Sequence, residues 1–133
     1  MGRVTFDWSE YLIVAADLSA GREPTASEQA RGRAAVSRAY YAAFCPARDF
    51  LVDRGELSPA RADEPRLHAT VMERFRLSTD GRRRKIGNWL RDMRDARNRC
   101  DYEAEVPNLA GLVTATLRDA RWALEHLAKL QGT

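Results

Sequence analysis

The sequence predicts an all-α protein, folded as an antiparallel up-and-down bundle of four to five helices. Three observations support this prediction. The chain lacks the alternating runs of β-branched residues that are typical of strands. Apolar residues instead recur at intervals of three and four, which is the spacing of a helix that buries one face. The connections between these segments are short, and short connections favour antiparallel neighbours.

Capping residues and glycines indicate where the first two helices begin and end. The first helix is expected over about Asp7–Ser19, with Gly21 following its end. The second is expected over about Ser27–Asp53, because a serine can cap its N-terminus and Gly55 follows its last residue. Pro46 lies inside this helix, and an interior proline predicts a kink.

Three further helices complete the predicted bundle. The third is expected over about Pro65–Arg76 and the fourth over about Arg82–Cys100, with a polar turn between them. The fifth begins at about Pro107 and Asn108, and its apolar residues keep one helical phase to the end of the chain. That stripe consists of Leu109, Leu112, Val113, Thr116, Leu117, Ala120, Leu124 and Leu127.

Length and composition set the class of protein. A chain of 133 residues without an internal boundary predicts one helical domain over residues 1–133. No apolar run is long enough to span a bilayer, and the N-terminus lacks the layout of a signal peptide, so a cytoplasmic protein is expected. Cys45 and Cys100 are too few and too far apart to indicate a disulfide framework or a zinc site. Neither a metal nor a cofactor is therefore expected.

Positive charge is concentrated in one third of the chain. Residues 61–99 carry 12 basic and 6 acidic side chains, whereas residues 1–60 carry 7 and 8, and residues 100–133 carry 3 and 5. Guanidinium groups bind phosphate bidentately, so this band predicts contact with RNA or a nucleotide. The alternative is an ordinary solvated face in an arginine-rich chain. The candidate binding residues are Arg84, Lys85, Arg91, Arg94 and Arg97, with Tyr41 as a possible stacking residue.

An arginine continues the core-facing stripe of the fourth helix. The stripe of Ile86, Trp89, Leu90 and Met93 reaches Arg97 one turn later. One interpretation is structural: Arg97 forms an i, i+4 ion pair with the carboxylate of residue 101, and Tyr102 packs beside it. The other is functional: the stripe becomes the floor of a cleft or dimer seam at this point. Arg97, Asn98, Asp101 and Tyr102 would then face it.

Two motifs resemble the HEPN domain family. They are "SRAYYAAFCPARDFL" (37–51) and "LRDMRDARNRCDYE" (90–103), and the intervening helix carries Leu67, His68 and Phe75. The resemblance is to small stand-alone prokaryotic members and covers roughly residues 8–130. It implies a helical bundle that forms a homodimer with a shared cleft. It also implies a possible role as a metal-independent ribonuclease or as the partner of a minimal nucleotidyltransferase in a toxin–antitoxin pair.

The catalytic signature of that family, R-x4-6-H, is incomplete in this chain. Arg97 and Asn98 fit its first two positions, but Tyr102, Glu103 and Ala104 stand where the histidine is expected. A histidine transfers protons near neutral pH, and an arginine stabilises charge on the phosphorus oxygens. The resemblance therefore implies a degenerate site and a ribonuclease that is weak or inactive.

The two histidines of the chain are the candidate substitutes for the missing one. Arg121 and His126 match the spacing, but residues five apart on a helix point about 140° away from each other. Arg61 and His68 also match it, and His68 is the one residue from which a composite site could take its base.

Three functions follow as alternatives. The leading one is a HEPN-type RNA- or nucleotide-binding subunit without the motif histidine. The second is an active ribonuclease that uses Arg97 with Asp101, Tyr102 or His68. The third is a purely structural helical interaction module. The resemblance further implies that Tyr102 could accept a nucleotide from a nucleotidyltransferase partner.

Overall fold

The structure of the protein is a computed structural model that describes residues 6–21, 27–59 and 66–132. Within these ranges the chain forms five α-helices and no strand, which confirms the predicted helical bundle. In chain order the helices are α1 (Glu10–Ala20), α2 (Glu28–Asp53), α3 (Leu67–Arg76), α4 (Gly81–Tyr102) and α5 (Leu109–Gln131).

Side-chain caps fix several helix starts. Ser27 Oγ accepts a hydrogen bond from the Ala30 amide at 3.1 Å, as predicted for the start of α2. The helix α1 begins at Glu10 and not at Asp7, because the Asp7 carboxylate accepts from the amide and hydroxyl of Ser9 and forms a local turn. The predicted start of the third helix at Pro65 lies outside the described residues. At its C-terminal end, α4 extends two residues beyond the prediction, so residues 101 and 102 are helical.

Helix α2 lies at the centre of the bundle and packs against α1, α4 and α5. It is antiparallel to α1, since Arg31 near its start donates to the Leu18 carbonyl near the end of α1. It runs in the same direction as α5, because Arg54, just after α2, donates to the Leu130 carbonyl at the end of α5 at 2.7 Å. Helix α3 packs on α4, with its last residue, Arg76, against Gly87, and it presents its first turn to α2.

The predicted core stripe of α2 is buried along its whole length. Its residues are Val36, Ala39, Tyr40, Ala43, Phe44, Ala47, Phe50 and Leu51. Helix α2 continues through Pro46 as one element of 26 residues. The stripe packs against Val71 and Phe75 of α3 and against the apolar face of α4, so one core joins the helices that carry the candidate site.

The part of the chain that the structure describes contains neither a candidate membrane-spanning helix nor a candidate metal site. No helix there combines the length and the apolar character that a membrane span needs. No group of three His, Cys, Asp or Glu side chains is arranged to hold a metal ion. Cys45 and Cys100 are free and buried, and burial raises the pKa of the Cys45 thiol to about 11.

Candidate functional site

The core-facing stripe of α4 ends at a half-buried arginine. Arg97 keeps 20% of its side chain exposed, and its Nε lies 3.0 Å from Asp101 Oδ2, so the predicted ion pair is present. The contact is close enough for an ion pair but does not have hydrogen-bond geometry. The buried Nε–H of Arg97 therefore has no hydrogen-bond partner among the described residues. Nη1 donates to Asn98 Oδ1 at 3.2 Å. One carboxylate and one amide therefore leave donors of Arg97 unused.

The ring of Tyr41 connects α2 to this arginine. Arg97 Cζ and Arg38 Cζ each lie 5.4 Å from the Tyr41 ring centroid, which is cation–π distance. Its neighbour Tyr40 is buried with 1% exposure, as the helical stripe predicted. Tyr41 is half-buried and lies between the core and the surface, so it can form one wall of a binding site.

His68, in the first turn of α3, completes the cluster. Its ring stacks on Phe44 with centroids 4.2 Å apart and planes 12° apart. His68 Nδ1 and the Tyr40 hydroxyl lie 2.6 Å apart and share a hydrogen bond. The edge of Tyr41 lies against the same ring, with centroids 6.0 Å apart. Three aromatic residues of α2 therefore fix the orientation of the imidazole.

Burial and positive charge keep His68 neutral. Burial, and after it the charges of Arg94, Arg97 and Arg48, lower the pKa of His68 to about 4. The charges that act on this ring are all positive. Burial also raises the pKa of Tyr40, because its effect outweighs that of the nearby arginines. At pH 7 the cluster therefore holds a neutral imidazole in a positive electrostatic environment.

Arg94 supplies charge that no acidic side chain among the described residues neutralises. It is half-buried, and it has no ion pair or hydrogen bond to another described residue. It lies three residues before Arg97 on neighbouring positions of the α4 surface. We call Tyr41, His68, Arg94 and Arg97 the Arg–His cluster. Its two guanidinium groups, a tyrosine ring and a histidine are suited to a phosphate next to a base or a ribose.

Asp101 and Tyr102, at the end of α4, differ in their contacts and in their exposure. The side chain of Asp101 is held by Arg97 and remains 31% exposed. Tyr102 is 77% exposed, and so it does not pack beside the ion pair as the structural interpretation expected. Residues 97 and 102 are five apart on one helix, and this spacing turns their side chains about 140° away from each other.

The remaining predicted basic residues lie nearer the start of α4 than Arg94 and Arg97 do. Arg91 pairs with Asp92 at 3.2 Å on an exposed part of α4. Arg84 donates to the carbonyl groups of Ser78 and Thr79 in the turn before the helix. Lys85 lies twelve positions before Arg97, which is about 18 Å along a helix axis. The basic band of the sequence is therefore spread along α4, with Arg84 and Lys85 in its first turns and Arg97 near its end.

The second histidine belongs to another part of the bundle. His126 donates from Nδ1 to the Trp122 carbonyl at 2.9 Å, and its ring lies edge-on to Trp89. It is remote from the Arg–His cluster, which agrees with the geometric argument against an Arg121–His126 site. Arg61, the other spacing partner, lies outside the described residues.

Sequence reasoning did not identify Arg33 as a residue that supports the site. Its guanidinium donates to the backbone carbonyl groups of Cys100, Glu103 and Ala104 at 2.6–2.8 Å. These contacts satisfy carbonyl groups at the C-terminus of α4 and place a cation at the negative end of its dipole. They fix the last helical turn of α4, which carries Asp101. No local pattern in the sequence could have shown this, because the partners lie about 70 residues apart.

No family model matches the chain, and comparisons with curated proteins and with solved structures found no match.

Proposed function

We propose that this protein is an RNA- or nucleotide-binding subunit of HEPN type, and that the Arg–His cluster contacts the phosphate of its ligand. The observation that carries the proposal is that two arginines, Arg94 and Arg97, lie beside His68. Among the described residues, their only ion-pair partner is Asp101, which pairs with Arg97. An anionic ligand gains most where positive charge is already concentrated and partly desolvated. Tyr41 offers a ring for a base or ribose beside that charge.

The resemblance extends the proposal to partners. A homodimer would place the ends of two α4 helices along one cleft, and exposed Tyr102 would then lie at its seam. A minimal nucleotidyltransferase, as in a toxin–antitoxin pair, is the proposed second partner. The HEPN motifs at residues 37–51 and 90–103 support this part of the proposal.

Binding of RNA at the cluster should raise the pKa of His68. The free protein is expected to titrate His68 near 4, because burial and three arginines disfavour its protonated form. A bound phosphate offsets those charges and moves the pKa toward its ordinary value. We would follow the ring protons of His68 by NMR from pH 3.5 to 7, without and with a short oligouridylate. An unchanged His68 pKa with RNA bound would contradict the proposal.

The same shift predicts how stability depends on pH. Between about pH 6.5 and 4 the unfolded chain binds a proton on His68 that the folded chain does not. The free energy of unfolding therefore falls as the pH is lowered through this window.

The position of His68 favours a metal-independent ribonuclease as the second candidate function. If Nδ1–H donates to the Tyr40 hydroxyl oxygen, Nε2 is free to take the proton of a ribose 2′-hydroxyl. Arg97 then stabilises the charge on the phosphorus oxygens as the 2′-oxygen attacks and the bond between phosphorus and the 5′-oxygen breaks. The leaving 5′-oxygen takes its proton from water or from the protonated imidazole. Asp101, held by Arg97, is the other candidate proton carrier. Tyr102 turns about 140° away from Arg97, so within one chain it cannot act on the same phosphate.

Cleavage of labelled single-stranded RNA in EDTA tests this candidate. Wild type is expected to cleave, and His68→Ala to lose at least 100-fold in rate, since general acid–base catalysis contributes about 10²–10⁴-fold. His126→Ala should cleave as wild type does. All proteins are first matched for helical content by circular dichroism. If wild-type protein leaves the RNA intact, the ribonuclease candidate is refuted.

A further inference from the structure

A groove separate from the Arg–His cluster lies between the N-terminal half of α4 and the C-terminal half of α5. Two adjoining concavities, of about 480 and 520 Å³, share Lys85, Asn88 and His126. Each has the size of a small-molecule site, which is typically about 300–1,000 Å³. Their common lining makes them one continuous groove with two ends.

One end of the groove has aromatic walls. The rings of Trp89 and Trp122 lie 5.7 Å apart at 47°, and His126 meets the edge of Trp89 at 4.8 Å. Trp122 is 41% exposed, although the side chain is large and apolar. Arg118 lies over the Trp122 ring at 4.9 Å and adds a positive charge beside it. Exposed aromatic rings of this kind are the surfaces on which nucleic-acid bases stack.

The other end is basic. It is lined by the first turns of α4, with Arg82, Arg84 and Lys85. Asp80 pairs with Arg82 at 3.0 Å, which leaves Arg84 and Lys85 without an ion pair among the described residues. The exposed ammonium of Lys85 is shared by both concavities, so it lies between the aromatic walls and the other cations.

Polar groups between the two ends have unused hydrogen-bonding capacity. Asn88 Oδ1 accepts from Arg76 at 3.3 Å, and its amide hydrogens are available to a ligand. The Trp122 carbonyl can only accept, so the proton of neutral His126 is on Nδ1 and Nε2 is an acceptor. Glu125 adds a carboxylate on the aromatic side, where a ribose hydroxyl or a base amino group could donate to it.

We propose that this groove binds a nucleotide, with the base on Trp122 and Trp89 and the phosphate at Lys85 and Arg84. The ligand chemistry is an aromatic base joined to a phosphate, either as a free nucleotide or within a single strand. Docking of a second copy of the chain is disfavoured, because two such grooves would bring their cations together. The proposal goes beyond the function assigned to the Arg–His cluster, since it requires neither Arg97 nor Tyr41.

Tryptophan fluorescence tests the proposal directly. Trp8 packs against Arg48 and lines neither concavity, so Trp8→Phe protein leaves Trp89 and Trp122 as its tryptophan fluorophores. In this background we would titrate AMP, an oligoadenylate and ribose 5-phosphate. Saturable quenching by AMP or by the oligoadenylate is expected. Tighter binding of one of them shows whether the groove prefers a free nucleotide or a single strand. Ribose 5-phosphate, which lacks the base, should quench weakly.

Variants in the same background assign the binding to the groove. Lys85→Gln should weaken binding about tenfold through loss of a phosphate contact, and Trp122→Ala at least as much through loss of stacking. Arg74→Gln, which removes an exposed charge from α3, is the matched control and should leave the affinity unchanged. Quenching reports on Trp89 and Trp122, which are not part of the Arg–His cluster, so failure here is distinct from failure of that cluster. No saturable quenching up to about 10 mM nucleotide, or quenching that Lys85→Gln and Trp122→Ala both leave intact, would overturn the proposal.

Discussion

Arg97→Ala protein should bind single-stranded RNA about tenfold more weakly than wild type and should show a weaker dependence on salt. Each phosphate contact to a single strand contributes about 0.7 to the slope of log affinity against log salt, so losing one should lower the slope by about that amount. Arg97 also holds Asp101, and removing it leaves a carboxylate beside the site, which adds repulsion to the lost contact. Fluorescence anisotropy with labelled RNA between about 50 and 200 mM salt measures both quantities.

The control for this experiment is Arg74→Ala, which removes the same charge from an exposed position on α3. Its affinity and salt slope should match those of wild type. The third function, a structural helical module, predicts the reverse pattern for Arg97→Ala: a lower free energy of unfolding and no change in RNA affinity. That result would assign the Arg97–Asp101 pair to the scaffold and would refute the proposed role of the Arg–His cluster.

Gly87→Ala should lower the free energy of unfolding by about 2 kcal/mol, although helix propensity alone predicts a gain of about 1 kcal/mol. A Cβ at residue 87 would lie 2.5 Å from the backbone nitrogen of Arg76 and 2.8 Å from its Cα. These are backbone atoms of α3, so the clash is relieved only if α3 moves away from α4. Urea denaturation followed by circular dichroism gives the difference in free energy.

The displacement should also reach the Arg–His cluster, because α3 carries His68 and positions it against Tyr40 and Phe44. We expect the pKa of His68 to rise in Gly87→Ala protein as its burial decreases. Gly81→Ala is the control in the same helix, since its added Cβ would meet only the flexible end of the Arg84 side chain. Equal or greater stability of Gly87→Ala protein would mean that α3 and α4 are not held at this distance.

Local patterns were sufficient to predict the five helices. Each buried face repeats within its own helix, so the spacing of the apolar residues of α2 and α5 indicated both the helices and their inward sides. Caps are local as well, which is why Ser27 was predicted correctly from its position before α2. The ion pair between Arg97 and Asp101 belongs to the same class, because residues four apart on a helix are neighbours whatever surrounds them.

The contacts between helices could not be obtained in this way. Hydrophobic burial is non-directional, so a periodic stripe shows which face is inward but not which helix covers it. The sequence alone therefore left His68 as an isolated alternative, and only packing placed it beside Arg94 and Arg97. Packing likewise brought Trp89 and Trp122 to one groove. The sequence determined the helices and the charges that they carry, and the tertiary structure decided which of those charges and rings act together.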